Sequence, residues 1–224
     1  MPRSARVVMP DYPHHVTQRG NRRQPTFFGD EDYWHYVKLM VECCVDAQVR
    51  IWAWCLMPNH VHLVMQPATA DGLRRALARA HQRYTFAINR RKEWSGYLWQ
   101  GRFSSVVMDE AHTLIAMRYI EQNPVRAGLC ERPENWPWSS ARVHLGLGLD
   151  PLTDLTATRG MVADWQDFLS HLPRDEASRE LREHTQSGRP LGSPEFISKI
   201  EKFLGRSLPP GKRGRPVKSD SSKR

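Results

Sequence analysis

Two periods of apolar spacing alternate along this chain, and the changes between them mark its elements. Residues 14–19 read as a short strand, after which Gly20 and Asn21 turn the chain into a basic loop, Arg22 and Arg23. An acidic start, Asp30, Glu31 and Asp32, suits a helix N-terminus. The helix it opens carries Tyr33, Tyr36, Val37, Met40, Val41 and Cys44 at three- and four-residue spacing. Residues 49–57 are rich in β-branched and aromatic side chains, and Pro58 with Asn59 makes a tight connection into a second run over 60–66. This is the strongest hairpin signal in the chain. Asp71 is placed to cap a long helix whose apolar stripe is Leu73, Leu77, Ala80, Tyr84 and Ile88. Residues 104–108 read as a fourth strand, and 110–122 as a third helix stopped by Pro124. The order strand, helix, strand, strand, helix, strand predicts an α+β fold. Its architecture is a ferredoxin-like (RRM-like) antiparallel sheet with helices on one face and the other face open to a substrate.

The pattern weakens after residue 140. Trp136, Pro137, Trp138 and Ser139 predict a turn into a short closing helix near residue 145, so a catalytic domain is expected over 1–146. Residues 147–204 form a helical extension, with helix candidates at 161–171 and 175–184 and a Gly- and Pro-containing linker at 188–194. Ser193, Pro194 and Glu195 make a good helix start for 196–204. The last segment, 205–224, carries seven Lys or Arg against one acidic residue and is expected to be disordered when unbound.

Charge narrows the partner. Among 224 residues, 33 Lys and Arg face 24 Asp and Glu, a net charge of +9, which points to a polyanion. Residues 51–70 are the one uncharged stretch of membrane-spanning length, but Pro58, Asn59, His60, His62, Gln66 and Pro67 would go unsatisfied in hydrocarbon. A membrane partner is therefore not expected. The N-terminus shows no apolar signal segment, and the four Cys offer neither paired metal spacing nor a disulfide framework. The expected compartment is a reducing cytoplasm.

Two constellations carry chemistry. On a strand, His60 and His62 point to one side while Val61, Leu63 and Met65 point into the core, so two neutral imidazoles could share a divalent ion. An isolated His-x-His arises by chance alternation more often than as a metal site. Imidazole ligands suit Mn2+ at least as well as Mg2+. On a helix, Tyr119 and Asn123 lie one turn apart on one face, where a phenol could attack phosphorus and an amide could reach the same metal. The competing reading of a helical tyrosine is core packing.

The order of motifs decides between these readings. Met57 to His62, then Leu98, Trp99, Gln100, Gly101, Arg102, Phe103, then Tyr119 to Arg126, with the opening His15 to Asn21 and the Trp138, Ser139, Ser140 block, resemble the REP-associated tyrosine transposases. These are relatives of the single-tyrosine insertion-sequence transposases with a His-hydrophobe-His (HUH) motif. The resemblance covers roughly residues 1–145. It implies a bacterial, metal-dependent nuclease that cleaves single-stranded DNA at or beside imperfect palindromic hairpins. Cleavage leaves a 5′ phosphotyrosine and a free 3′ hydroxyl.

By position, Tyr119 matches the nucleophile, His60 and His62 the metal histidines, and Asn123 the polar ligand that is commonly Gln in the insertion-sequence relatives. Insertion-sequence relatives work as dimers with the tyrosine supplied in trans, whereas the resemblance to the REP-associated group implies a monomer acting in cis; the expected location is cytoplasmic and nucleoid-associated. Arg19, Arg22, Arg23, Arg79 and Arg102 are expected DNA contacts, as are Arg213 and Arg215 in an AT-hook-like element of the tail. Trp99 and Phe103 are candidates to stack unpaired bases or to pack as core. The alternative is a regulator that binds hairpins without chemistry. An RNA-binding sheet domain ranks last, because the first strand carries no stacking aromatic.

Overall fold

The computed structural model describes residues 6–208. Its strands are β1 (His14–Arg19), β2 (Val49–Met57), β3 (His60–Pro67) and β4 (Ser104–Val107). Its α-helices are α1 (Asp30–Ala47), α2 (Gly72–Lys92), α3 (Glu110–Glu121), α4 (Asn123–Arg126), α5 (Ala141–His144), α6 (Leu155–Thr158), α7 (Trp165–Ser170), α8 (Asp175–Ser187) and α9 (Pro194–Leu204). The sheet order is β2-β3-β1-β4 with every neighbouring pair antiparallel, which is the expected α+β, ferredoxin-like topology.

The first face follows from the helical periods. Tyr36, Val37 and Met40 of α1 and Leu73, Leu77 and Tyr84 of α2 bury against Val16, Ile51, Leu56, Val61, Leu63 and Met65 of the sheet. Asp71 stands at the N-cap of α2, but its carboxylate accepts from Arg74 at 2.6 and 2.9 Å and makes no cap bond.

The second face is not open. Trp52, Ala53, Cys55, Met57, Val64, Val106 and Met108 are covered by Ala116, Met117, Tyr119 and Ile120 of α3 and by Leu181 of α8. The physical reason lies in β2, whose residues 51–57 are all apolar. A strand buried on both sides reads as a continuous apolar run, whereas one wet side would have left polar residues at every second position. A register shift between Ile51 and Ala53 lets two consecutive side chains, Trp52 and Ala53, join the second layer.

Chain that follows the sheet finishes both of its edges. Along β2, Leu56 N–H donates to Trp138 O at 2.9 Å and Ser140 N–H donates to Trp54 O at 3.0 Å. Along β4, Leu191 N–H donates to Val107 O at 2.9 Å and Asp109 N–H donates to Leu191 O at 3.2 Å. Residues 188–194 are thus not a free linker, because Leu191 is hydrogen-bonded into the sheet edge. The α9 start is as expected, with Ser193 Oγ accepting from Phe196 N–H at 3.2 Å. Among the described residues no helix is long and apolar enough to cross a membrane.

One buried carboxyl group ties these layers together. Glu121, fully buried at the end of α3, accepts from His144 Nδ1 at 2.6 Å and from the Ser140 hydroxyl. His144 in turn stacks on Trp165 of α7 at 4.1 Å. Glu121→Ala leaves two donors unpaired in an apolar layer and is expected to destabilise the protein by about 3 to 5 kcal/mol. Glu121→Gln, whose amide oxygen still accepts, should lose less. Urea unfolding of the two variants checks both the size and the order.

Candidate active site

The site is built where β1, β3 and α3 meet. Gly20 ends β1 against the hairpin turn, and its N–H donates to Asn59 O at 2.8 Å. A Cβ there would meet Gln24 O at 2.4 Å, so only glycine permits this approach. From that turn β3 runs in register with β1, pairing His60 with Arg19 and His62 with Thr17. Val61, Leu63 and Met65 fall into the first-face core as the alternation requires. His62 therefore lies on the opposite side, beneath α3.

Tyr119 meets it there. The phenol ring stands edge-on to His62 with centroids 5.7 Å apart, and His60 and His62 are 4.9 Å apart. Helical backbone continues past Tyr119 despite Pro124, since Gln122 N–H donates to Arg118 O and Ala127 N–H donates to Asn123 O, both at 3.0 Å. Asn123 is accordingly one turn beyond Tyr119 on the same face. The Arg126 guanidinium lies 4.6 Å over the Tyr119 ring.

A third histidine, not evident as a site residue in the sequence, joins them. His15 of β1 stacks on His62 with centroids 5.3 Å apart and planes 4° from parallel, and it stands edge-on to Tyr119 at 6.2 Å. The pairing of His15 with Val64 puts it diagonally next to His62 on the same face. Alternation within β1 could have listed His15 with Thr17 and Arg19. Only the register against β3 joins them to the His60 and His62 face.

Burial keeps these rings neutral. His60 is held down to about 4, first by desolvation and then by the Arg19 charge. His62 is pushed well below its ordinary value by burial, with His60, His15, Arg19 and Arg126 adding to it. Burial alone lowers His15 to about 3. At neutral pH each ring carries one N–H and one lone pair.

Hydrogen bonding decides which nitrogen is which at His60. Asn59 Nδ2 donates to Arg23 O at 2.9 Å, so Asn59 Oδ1 accepts from His60 Nδ1–H at 2.6 Å and Nε2 keeps the lone pair. Among the described residues Asn123 makes no side-chain hydrogen bond, its Nδ2 being buried and unpartnered, so its Oδ1, the amide atom able to ligate a metal, is not consumed by the protein itself. Among the described residues no three His, Cys, Asp or Glu side chains form a metal cage. The available donor set is two imidazoles and an amide, and it fits a divalent ion.

The arginines separate into groups. Arg19 and Arg102 line a cleft of about 820 Å3 together with Thr17, Thr185, Arg189 and Arg206. Arg22 and Arg23 are exposed in a turn with left-handed φ of 53° and 60°, and the Asn59 side chain holds that turn. Arg79 is paired with Asp46 on the α1 and α2 layer, away from the histidines. Arg213 and Arg215, with the AT-hook-like element, lie outside the described residues. Trp99 and Phe103 are buried, Trp99 against His81 at 4.8 Å and Phe103 under Arg6 at 3.8 Å. The exposed rings nearby are Trp94 and Tyr97. Their loop is pinned to the end of β1 by Gln100 N–H to Arg19 O and Asn21 N–H to Leu98 O, both 2.8 Å.

The sequence profile described as "Transposase IS200 like" matches residues 9–123, just over half of the chain, and so spans β1, the histidine hairpin, Tyr119 and Asn123. The chain belongs to the IS200-like transposase family. Within the IS200-like transposases it is similar to a REP-associated tyrosine transposase of Haemophilus influenzae, 32% identical over 99 residues, which are 39% of this chain by alignment and 56% of that protein. It is 24% identical over 108 residues to the REP-associated tyrosine transposase of Escherichia coli K12, covering 48% of this chain and 63% of the relative. The chain thus spans less than two thirds of the length of either relative. A solved structure of a REP-associated tyrosine transposase bound to a REP hairpin has the same fold, with a TM-score of 0.57 and 22% identity over 69% of this chain and 91% of that one. The resemblance read from the motifs is borne out at the level of family and fold.

Proposed function

We propose that this IS200-like transposase cleaves single-stranded DNA at or beside REP-type hairpins, with Tyr119 as nucleophile. The observation that supports the reading is the seating of the Tyr119 ring edge-on to His62, with His60 Nε2 left free by its bond to Asn59. The phenolic oxygen of Tyr119 bonds to phosphorus as the bond from phosphorus to the 3′ oxygen breaks. The phenol gives up its proton, the departing oxygen takes one up as a free 3′ hydroxyl, and the 5′ phosphate stays on the tyrosine. His60, His62 and Asn123 would hold Mg2+ or Mn2+. Such an ion supplies Lewis-acid stabilisation of charge on a phosphate oxygen.

Around this centre, Arg19 and Arg102 hold the phosphate backbone in the cleft, and Arg126 adds positive charge beside the nucleophile. The exposed rings of Trp94 and Tyr97, which share a cleft with Arg22, take over the stacking of unpaired bases that the buried Trp99 and Phe103 leave undone. The domain division at residue 146, monomeric action in cis and location on cytoplasmic nucleoid DNA belong to the same proposal. Incubating the full chain with labelled hairpin DNA bearing single-stranded flanks, with and without Mn2+, tests it. A metal-dependent covalent protein-DNA adduct is expected. Hairpin binding without any adduct would replace this reading with the non-catalytic regulator.

A further inference from the structure

The polar groups behind His62 form a chain with a fixed direction. Leu181 O is a backbone carbonyl and can only accept, so the Thr185 hydroxyl donates to it at 2.7 Å. With its one proton spent, Thr185 Oγ1 accepts from His15 Nδ1–H at 2.8 Å. His15 is buried, and its ring nitrogens face only a hydroxyl and another imidazole with no carboxylate to hold a second proton, so its Nε2 carries the lone pair and accepts from His62 Nδ1–H at 3.0 Å. The lone pair of His62 is then on Nε2. At His60 a separate chain ends in the same way on a backbone carbonyl, through Asn59 to Arg23 O. Two imidazoles on one strand are thus set to the same tautomer from two different parts of the chain.

We infer that His15 and Thr185 are positioning residues that hold His62 in the tautomer able to bind a metal ion, which makes α8 a working part of the active site. This rests on the reading above that His60 and His62 hold the metal. Thr185 lies outside the residues 9–123 that match the family profile, and α8 reaches the site by packing on β4, β1 and α3. Residues that orient metal-ligating histidines from behind affect metal affinity by about 10- to 100-fold. Removing the Thr185 hydroxyl frees His15 to place its proton on Nε2. That proton would face His62 Nδ1–H, and His62 could avoid the clash only by moving its own proton to Nε2, the nitrogen needed for the metal.

The experiment compares the full-length wild-type protein with Thr185→Val, Thr185→Ser and His62→Ala by two readouts. Histidine 15N NMR spectra of the metal-free proteins report the tautomer of His62, and calorimetric titration with Mn2+ reports affinity. The wild type and Thr185→Ser should show His62 as the Nδ1–H form and bind Mn2+ within about twofold of one another. Thr185→Val, which preserves side-chain shape, should lose the single tautomer and bind Mn2+ about 10- to 100-fold more weakly while its circular dichroism spectrum is unchanged. A wild-type His62 protonated on Nε2, or a Thr185→Val protein that keeps both the tautomer and the affinity, overturns the inference. If His62→Ala binds Mn2+ like the wild type, the metal assignment fails instead, and the NMR readout still decides the orienting chain.

Discussion

Tyr119→Phe is expected to abolish the covalent adduct at every Mn2+ concentration while leaving fold and hairpin affinity intact. The contacts that hold this side chain are contacts of its ring: His62 at 5.7 Å, His15 at 6.2 Å and the Arg126 guanidinium at 4.6 Å. Phenylalanine keeps all three, so the stability change should stay below about 1 kcal/mol. It has no oxygen to bond to phosphorus, so the loss of chemistry is complete rather than partial. Denaturing gels of protein incubated with end-labelled hairpin DNA read the adduct, and filter binding of the same mixtures reads affinity. An adduct that survives in Tyr119→Phe removes Tyr119 from the mechanism.

Acidification should unfold the protein, because His15, His60 and His62 at the candidate site and His14 and His81 elsewhere are all held below their ordinary value by burial. His14 is buried with both ring nitrogens committed, Nδ1–H donating to Tyr12 O at 2.8 Å and Nε2 accepting from Met9 N–H at 3.2 Å. Burial lowers it to about 4. His81 sits under Trp99 with its Nε2 hydrogen-bonded to the Tyr36 hydroxyl at 2.9 Å, and burial lowers it to about 3. Both fall below the unfolded value of 6.5, so the unfolded chain takes up protons that the folded one refuses. Stability is therefore whole above pH 6.5 and is lost as pH falls below it, by about 1.4 kcal/mol per pH unit per histidine. At pH 4.5 His14 and His81 alone remove about 5 kcal/mol, as much as the entire stability of many domains, and His15, His60 and His62 act in the same direction. Urea midpoints measured between pH 7.5 and 4.5 should fall steeply. His81→Gln, whose amide can still pair with the Tyr36 hydroxyl, should make the fall shallower by one histidine's share, about 1.4 kcal/mol per pH unit. A midpoint that stays flat across this range would contradict neutral burial of both rings.

The sequence carried local information well and long-range information poorly. Strand and helix limits, the Pro58 and Asn59 turn and the placing of His60 and His62 on one side of β3 all depend on residues within a few positions of each other. The period of the pattern reports those directly. His15 is different. Its partnership with His62 depends on β1 pairing with β3 across 47 residues, and no local pattern encodes a register between strands that are not consecutive. Thr185 is further away still, on a helix whose limits were weakly marked. The covered second face was written in the unbroken apolar run of β2, but an apolar run does not say which helix lies on it. Trp99 and Phe103 show the same gap, since an aromatic beside an arginine looks alike in sequence whether it faces DNA or the core.

The strips that finish the sheet bear on how copies of this protein can meet. A free edge strand offers a row of unpaired amides and carbonyls that a second sheet can extend. Here the row along β2 is engaged by residues 138–140 and the row along β4 by Leu191. Two molecules seeking to fuse their sheets into one would first have to peel away their own chain at these places, giving up hydrogen bonds already made. Continuous sheets running from one copy into the next are disfavoured at both ends, and association in crowded solution is left to side-chain surfaces.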